Sequence, residues 1–181
     1  KEGLKNFDKR KSSSNKILDV ATGSGRTLKQ LRGAFQKEKI IGIDLSDSYL
    51  KEASRYISDL EGDLIELVKG NAENLPFESN SLQAVSCVYL FHELPRTIRE
   101  KVLNEFFRVL EPGGTLVLAD SIQIIDSPNF ITIMEGFYKN FHEPFYCDYI
   151  KDDIDSKMNE IGFKNINSKS FFITKVWSAI K

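Results

Sequence analysis

A glycine-containing turn follows the first apolar segment of the chain and has the spacing of a nucleotide-binding loop. The segment Lys16 to Val20 leads into Gly23 and Gly25, after which an amphipathic stretch begins. Glycine suits this position because the chain must turn sharply and its backbone must approach a ligand without a Cβ in the way. The turn therefore predicts a nucleotide-like ligand, although a Gly-x-Gly pair is also compatible with a purely structural turn.

The second apolar segment ends on an acidic residue, Asp44, 19 positions after Gly25. A carboxylate at the end of the second strand of a parallel sheet can accept hydrogen bonds from both hydroxyls of a ribose. Asp44 is accordingly predicted to hold the ribose of the ligand. The alternative is that Asp44 caps the following helix, a role that Ser46, Asp47 or Ser48 can also fill.

Two cofactor classes share this arrangement, and two residues distinguish them. Nicotinamide dinucleotides usually require a third small residue after the two glycines, so that the helix packs closely on the strand, whereas this chain has Leu28 there. Asp19 adds a carboxylate beside the turn, which disfavours a pyrophosphate and favours a cation. A sulfonium cofactor therefore fits the turn better than NAD does.

The third apolar segment is followed by Gly70 and Asn71. The side-chain amide of Asn71 offers both a donor and an acceptor, which is what recognition of a purine edge requires. We therefore predict that Asn71 contacts the base of the ligand. A turn asparagine after a glycine is the structural alternative.

Four sequence blocks occur in the order that a known enzyme family shows. They are Asp19-x-x-Thr22-Gly23-x-Gly25, Asp44, Gly70-Asn71-Ala72-Glu73-x-Leu75-Pro76-Phe77 and Phe107-Arg108-Val109-Leu110-x-Pro112-Gly113-Gly114. Together they resemble the class I S-adenosylmethionine-dependent methyltransferases of the small-molecule type, and loosely the quinone-biosynthesis branch of that family. The resemblance extends over about residues 16–181.

The resemblance implies a cofactor, S-adenosyl-L-methionine, and methyl transfer to a small-molecule acceptor. It also implies which residues bind the cofactor. These are Asp19, Ala21, Thr22, Gly23 and Gly25 for the methionine moiety, Asp44 for the ribose, Leu45 beneath the adenine, Asn71, Ala72 and Glu73 at the adenine edge, and Val88 and Tyr89 beside the sulfonium.

His92 is the residue best placed to act as a general base. The fourth apolar segment delivers Phe91, His92 and Glu93 to the same sheet edge as the glycine turn. An imidazole can take a proton near neutral pH from an oxygen, nitrogen or carbon nucleophile, so His92 is predicted to be catalytic and, with Phe91, to contact the substrate. A histidine that only hydrogen-bonds a loop or orients the cofactor is the alternative.

A long connection, residues 122–149, interrupts the alternation of strands and helices and is rich in aromatic residues. They are Phe130, Phe137, Tyr138, Phe141, Phe145, Tyr146 and Tyr149. A solvated loop carries fewer, so the segment is predicted to be buried in part, either as a small helical cap or as the wall of a pocket for an apolar or aromatic acceptor. Phe137, Phe141 and His142 are its predicted substrate contacts.

No metal site is predicted. The two histidines of the chain, His92 and His142, are each followed by a glutamate, but neither has a second histidine four positions on, as a helical ligand pair requires. Cys87 and Cys147 are too widely separated in the sequence to form a zinc motif and are too few for a disulfide framework.

The elements that must position these residues follow from an alternation of short apolar runs with amphipathic stretches, typical of a parallel α/β sheet. Strands are predicted over residues 16–20, 39–44, 63–69, 82–89, 115–121, 163–168 and 171–179, and helices over 25–36, 47–60, 96–110 and 150–161. The turn Pro112-Gly113-Gly114 is predicted to end the third helix.

The family resemblance implies a Rossmann-like sheet of seven mostly parallel strands in the order 3-2-1-4-5-7-6, with the seventh antiparallel and helices on both faces. At 181 residues, the chain is assigned to one methyltransferase domain. Within that domain, residues 1–15 are predicted to form an N-terminal helix and linker.

Composition limits the expected partners. Lys and Arg number 25 against 26 Asp and Glu, so no strong overall field attracts a polyanion, and nucleic-acid binding is disfavoured. No apolar stretch approaches the roughly 20 residues that span a bilayer, and no secretory signal is recognisable. The protein is therefore expected to be cytoplasmic, without a membrane span. The sequence makes no prediction about oligomeric state.

Two other functions stay open. An NAD-type oxidoreductase would share the glycine turn and the ribose carboxylate. A non-catalytic cofactor-binding or scaffold protein of the same fold would carry the same motifs without turnover.

Overall fold

Seven strands form one sheet, and helices connect most of them. The computed structural model describes residues 15–60, 64–141 and 143–181, with only the backbone described over 137–141. The helix and linker predicted over residues 1–15 therefore lie, apart from Asn15, outside the described residues. Within the described ranges, no helix has the length and apolar character needed to cross a membrane.

The strands and helices have well-defined bounds. The strands are β1 Lys16–Val20, β2 Lys39–Asp44, β3 Ile65–Lys69, β4 Leu82–Val88, β5 Leu110–Ser121, β6 Lys164–Phe171 and β7 Thr174–Ile180. The helices are α1 Arg26–Ala34, α2 Asp47–Tyr56, α3 Arg96–Val109, α4 Ile131–Phe141, α5 Tyr146–Tyr149 and α6 Ile154–Ile161, and there are 3₁₀ turns at Phe91–Glu93 and Pro128–Phe130.

The strand order is β3-β2-β1-β4-β5-β7-β6, and β7 runs antiparallel to both β5 and β6. Both features confirm the expected sheet. The order reverses at β1, since β2 and β3 lie on one side of this strand and β4 and β5 on the other. In open α/β sheets, ligands bind outside the carboxyl ends of the strands at such a switch point.

Alternate residues of the central strand face opposite sides of the sheet. Ile17 packs in a cluster with Leu28 of α1, whereas Leu18 packs in a larger cluster with Phe106 of α3. All four side chains are essentially inaccessible to solvent. Burial on both faces explains why the neighbouring residues Ile17 and Leu18 of β1 are both apolar, without the alternation of a half-exposed strand.

The Pro112-Gly113-Gly114 segment lies within a strand, which corrects its prediction as a helix-ending turn. β5 begins at Leu110, directly after α3, and pairs there with Leu82 of β4. The register shifts before the next pair, which involves Ala84. Gly113 has φ 82°, the left-handed conformation that an irregularity of this kind favours in a glycine.

Other boundaries differ from the predictions by a few residues. The helices α1 and α2 end at Ala34 and Tyr56, earlier than expected, and β6 extends to Phe171, where β7 was predicted to begin. The chain reverses over the two residues after Phe171, and Phe172 there has φ 56°. A tight hairpin explains the later start of β7, because the turn residues cannot pair.

The aromatic connection contains two helices, α4 and α5, which pack on the core. Tyr146, Tyr149 and Met134 are buried. Arg99 of α3, fully buried, donates from Nε to Asp152 at 2.8 Å and also bonds Asp148 and the carbonyl of Leu94. This ion-pair network fixes the end of the connection to α3.

Candidate functional site

The glycine turn leads from β1 into α1 through a left-handed backbone. Ala21, Gly23 and Gly25 all have positive φ, of 54°, 54° and 83°. A Cβ on Gly25 would lie 3.1 Å from the Cβ of Ala53 on α2, closer than ordinary packing. Glycine is thus required at position 25 both by conformation and by space.

Asp44, at the end of β2, is bonded to the glycine turn. One carboxylate oxygen accepts from the backbone N–H of Gly23 at 2.9 Å, and the other accepts from the N–H of Ser46 at 2.9 Å. Ser46 itself caps α2, since its hydroxyl accepts from the N–H of Tyr49. The alternative in which Asp44 caps this helix is therefore wrong, and each of its oxygens keeps a further lone pair for a ligand.

Asp19 lies beneath the turn. It is almost completely buried, and its two oxygens accept hydrogen bonds from the hydroxyl of Ser86 at 2.6 Å and that of Thr22 at 2.7 Å. Burial raises the pKa of Asp19 to about 6, with the two hydroxyls opposing this shift and the charge of Asp44 adding to it. A buried negative charge thus sits behind a backbone loop.

A cleft of about 580 Å³ opens at the switch point of the sheet, along the carboxyl ends of the strands. Ten of the predicted cofactor residues line it: Ala21, Thr22, Gly23, Asp44, Leu45, Asn71, Ala72, Glu73, Val88 and Tyr89. Gly25 and Asp19 do not, because Gly25 packs against α2 and Asp19 lies under the turn. Tyr49, Glu93 and Ile98 also line the cleft and were not predicted.

Asn71 has the turn role that the sequence left open, and its predicted contact with the base stays a prediction. Its side-chain oxygen accepts from the backbone N–H of Glu73 at 3.0 Å, which is the turn role, while the residue also lines the cleft. The turn presents Ala72 and Glu73 to the same cavity.

A second, mainly apolar pocket of about 200 Å³ lies beside the cleft. The pocket is lined by Tyr89, His92, Ser121, Ile122, Phe130, Ile133, Met134, Tyr146 and Ile173. Tyr89 also lines the cleft, so its side chain forms a wall common to both cavities. It has a left-handed backbone with φ 56°, and its hydroxyl is hydrogen-bonded to Thr174 of β7. Such conformations are costly for an aromatic residue and cluster at functional sites.

His92 is held at the wall of this second pocket by a carboxylate that sequence reasoning missed. Its Nδ1 lies 2.7 Å from an oxygen of Asp120, a buried residue near the carboxyl end of β5. Burial would lower the pKa of His92, but the hydrogen bond and charge of Asp120, with smaller contributions from Glu93 and Glu143, raise it above its ordinary value. The signal available in the sequence was an acid at the end of an apolar strand.

Fewer of the predicted substrate contacts than of the predicted cofactor residues line a cavity. Phe91 is completely buried and packs against Phe106, with ring centroids 6.2 Å apart, so its assignment to the substrate is wrong. The 3₁₀ turn after β4 directs its side chain into the core. Phe137 and Phe141 lie on α4, where the described structure covers the backbone alone, and His142 lies outside the described residues. The described residues of the aromatic connection that line the pocket are Ile122, Phe130, Ile133, Met134 and Tyr146.

Comparison with known sequences identifies the family. A family model described as a methyltransferase domain matches residues 17–114. The demethylmenaquinone methyltransferase of Oceanobacillus iheyensis is 32% identical over 155 residues, covering 85% of this chain and 62% of that protein. The ubiquinone/menaquinone biosynthesis C-methyltransferase of Cronobacter sakazakii is 27% identical over 172 residues, covering 84% and 67%. The chain thus spans about two thirds of these relatives.

Solved structures share the fold. Phosphoethanolamine N-methyltransferase 2 of Haemonchus contortus, in complex with S-adenosyl-L-methionine, superposes with a TM-score of 0.75 at 15% identity, covering 99% of this chain and 51% of that one. A SAM-dependent methyltransferase of Aquifex aeolicus gives 0.69 at 20% identity, covering 99% and 87%. Because the matching family model spans more than half of the chain, including Asp44 and His92, this chain belongs to the class I S-adenosylmethionine-dependent methyltransferase family.

Proposed function

We propose that this chain transfers a methyl group from S-adenosylmethionine to a small apolar or aromatic acceptor. The observation that carries the proposal is the shared wall at Tyr89, with the cofactor-sized cleft on one side and an apolar pocket on the other. When bound, the cofactor supplies an electrophilic methyl group. The chain must then hold an acceptor atom in line with that group.

The cleft fits the cofactor. Its volume lies within the range of about 300–1,000 Å³ that is usual for small-molecule sites. Asp44 would accept the ribose hydroxyls on its remaining lone pairs, and the backbone of Ala21 and Gly23 would contact the methionine moiety. Leu45 and Tyr49 offer apolar surface for the adenine. Asp19 would attract the cofactor's positive charge from beneath the turn.

The second pocket indicates the acceptor. A cavity of about 150 Å³ can hold benzene, so 200 Å³ suits one substituted ring. None of the described residues that line it is Lys or Arg. A phosphoester such as that named for the nematode relative would need such a partner, whereas the ring acceptors named for the bacterial relatives would not.

Most of the acceleration would come from positioning. Holding the reacting atoms about 3–3.5 Å apart and aligned can supply several kcal/mol, and the apolar walls would exclude water. His92 would take the proton that the acceptor atom releases. The aromatic face of Tyr89, which borders both cavities, would attract a sulfonium by roughly 0.5–2 kcal/mol.

The structure supports methyl transfer over dinucleotide chemistry at one contact. Leu28 of α1 is fully buried, and a Cβ on Gly42 of β2 would lie 2.8 Å from it. A leucine thus lies between helix and strand, at a position where a dinucleotide-binding fold has a small residue.

A cofactor-binding scaffold without turnover is the second candidate function, since it would use the same cleft.

Incubation with methyl-labelled cofactor tests the proposal. The purified chain, given deuterium-labelled S-adenosylmethionine and a metabolite extract, should yield a product that carries the label, detected by mass spectrometry. Thermal unfolding should show stabilisation by S-adenosylmethionine and none by NAD. Cofactor binding without labelled product would favour the scaffold, and no binding of S-adenosylmethionine would overturn the assignment.

A further inference from the structure

Asp120 is a fully buried carboxylate that bonds three groups on two elements. One oxygen accepts from the backbone N–H of Phe91, in the 3₁₀ turn after β4, at 2.7 Å. The other accepts from its neighbour, the N–H of Ser121, at 2.7 Å and contacts Nδ1 of His92 at 2.7 Å. Two backbone donors leave the carboxylate little freedom to rotate, so its position relative to His92 is set by the β4–β5 pairing.

A carboxylate that receives backbone N–H groups can only accept hydrogen bonds. Nδ1 of His92 must then carry a proton and donate it, which in the neutral ring leaves the lone pair on Nε2. Within the part of the chain that the structure describes, the carboxylate oxygen that comes closest to Nε2, on Glu93, is 4.0 Å away and beyond hydrogen-bond distance. Nε2 is thus the atom of the ring that is available to a bound acceptor.

Three tyrosine rings restrain the imidazole in this orientation. Tyr89, Tyr146 and Tyr149 stand edge-on to it, with ring centroids 6.2, 6.1 and 6.3 Å away. Tyr89 directly follows β4, and Tyr146 and Tyr149 belong to α5. The packing opposes rotation of the ring, which would exchange its two nitrogens.

We infer that Asp120 is a positioning residue, which keeps the proton of His92 on Nδ1 so that Nε2 acts as the base in the second pocket. The chemical consequence of this inference rests on the proposed function. As the bond from the acceptor atom to the methyl carbon forms, the bond from sulfur to carbon breaks, and its electron pair stays on sulfur. The acceptor's proton passes to Nε2. The acceptor class is therefore one whose reacting atom carries a proton, such as a phenol or an activated ring carbon.

The charged groups around His92 give this arrangement a pH signature. Asp120 faces the ring from β5, Glu93 from its own turn and Glu143 from the segment before α5. Their combined effect outweighs burial and raises the pKa of His92, while burial raises the pKa of the Tyr146 and Tyr149 hydroxyls, so those two groups stay neutral. Because the protonated ring cannot act as a base, turnover should rise with pH through this raised pKa.

Nuclear magnetic resonance of the full chain tests the inference without needing turnover. The chain has two histidines, so a His92→Asn variant identifies the signals of His92. Long-range ¹H–¹⁵N correlation should show a protonated Nδ1 and an unprotonated Nε2 in the neutral ring. Asp120→Asn should lower the pKa of His92 and mix the tautomers. An Nε2-protonated ring in the unmodified chain, or an unchanged pKa in the variant, would overturn the inference.

A matched substitution and a kinetic measurement complete the test. Asp155→Asn removes a carboxylate that bonds Trp177 and Lys175, and it should leave the pKa of His92 unchanged. With labelled cofactor, Asp120→Asn should lower the plateau of kcat roughly tenfold or more and move its acid limb to lower pH. A reduced kcat with an unmoved limb would contradict the positioning role. If Asp120→Asn does not fold, the tautomer of His92 in the unmodified chain decides whether the inference holds. If the chain transfers no methyl group, the proposed function fails, but the tautomer of His92 still tests the inference.

Discussion

The carboxylate of Asp44 accepts a hydrogen bond from the backbone N–H of Gly23 at 2.9 Å, so the end of β2 holds the turn that follows β1. Twenty-one positions separate the two residues in the chain. The contact links the predicted ribose acceptor to the loop predicted to hold the methionine moiety. Both parts of the cleft therefore depend on one side chain.

Replacing Asp44 with alanine should weaken cofactor binding by tens-fold or more. The ribose would lose two hydrogen bonds to a charged acceptor, each worth about 1.5–3 kcal/mol, and the turn would lose its bond to Gly23. Isothermal titration calorimetry with S-adenosylmethionine measures the loss. Asp59→Asn, at an exposed carboxylate paired with Lys29 outside the cleft, should bind normally. Equal affinities for the two variants would remove Asp44 from the ribose site.

Cofactor affinity should rise with pH through about 6. Asp19, whose pKa is raised to about 6 by burial, is protonated below that value and attracts the cofactor's cationic groups only when ionised. Titrations between pH 5 and 8 would show the increase, and Asp19→Asn should give a flatter profile with weaker binding at pH 8. If cofactor affinity rises as steeply with pH in Asp19→Asn as in the unmodified chain, another group is responsible for the pH dependence.

Because of Asp19, the free energy of unfolding of the cofactor-free chain should fall as pH rises. The contribution of Asp19 to stability is fully present below its ordinary pKa of 3.8 and is lost as pH rises through about 6, since the folded state binds the proton more tightly. At about 1.36 kcal/mol per pH unit between those values, the loss approaches roughly 3 kcal/mol. Urea unfolding at several pH values should show this fall in the unmodified chain and a smaller one in Asp19→Asn.

Replacing His92 with asparagine should slow methyl transfer by about 10²- to 10⁴-fold, the usual contribution of a general base. Cofactor affinity should stay nearly unchanged, because His92 lines the second pocket and not the cleft. Single-turnover rates with labelled cofactor and calorimetry separate the two effects. An unaltered rate would show that His92 has no role as a base.

A charge on the wall of the second pocket should weaken binding of the acceptor and leave binding of the cofactor unchanged. Ile133 lines this pocket and is 65% exposed, so Ile133→Asp adds a charge at little cost to folding. We expect a higher KM for an apolar acceptor and the same cofactor affinity. Ile125→Asp, at an exposed isoleucine that does not line the pocket, is the matched control. Similar KM values in both variants would place the acceptor elsewhere.

Arg99 should be the costliest ion-pair residue to remove. Arg99→Met removes the 2.8 Å partner of the buried Asp152 carboxylate and leaves it the longer 3.6 Å contacts of Arg96 and Lys157, so the cost should approach the roughly 3–5 kcal/mol of a broken buried pair. Arg96→Met removes a half-exposed partner of Asp148 and should cost about 1 kcal/mol or less. Denaturant unfolding of the two variants measures the difference, and comparable losses would contradict the assignment of the buried network.

The sequence determined the sheet and most of the residues that line the cleft, because both depend on local patterns. Short apolar runs predicted every strand to within a few residues except the start of β5. The glycines of the turn and Asp44 each follow the end of a strand, and the carboxyl ends of parallel strands must meet at one edge. A chain position at a strand end therefore already specifies a place in the cleft.

The tertiary structure decided the second pocket, which we propose for the acceptor. His92 and Asp120 are 28 positions apart, and their contact depends on the register between β4 and β5, which no local periodicity encodes. The 3₁₀ turn after β4 places the side chain of Phe91 in the core and that of His92 at the pocket. The two residues are adjacent in the sequence, and the sequence does not indicate which of them is buried. Asp19 reads in sequence as a ligand contact, yet packing buries it beneath the turn and raises its pKa. Side-chain direction and burial arise from the surrounding elements, so only their assembly reveals them.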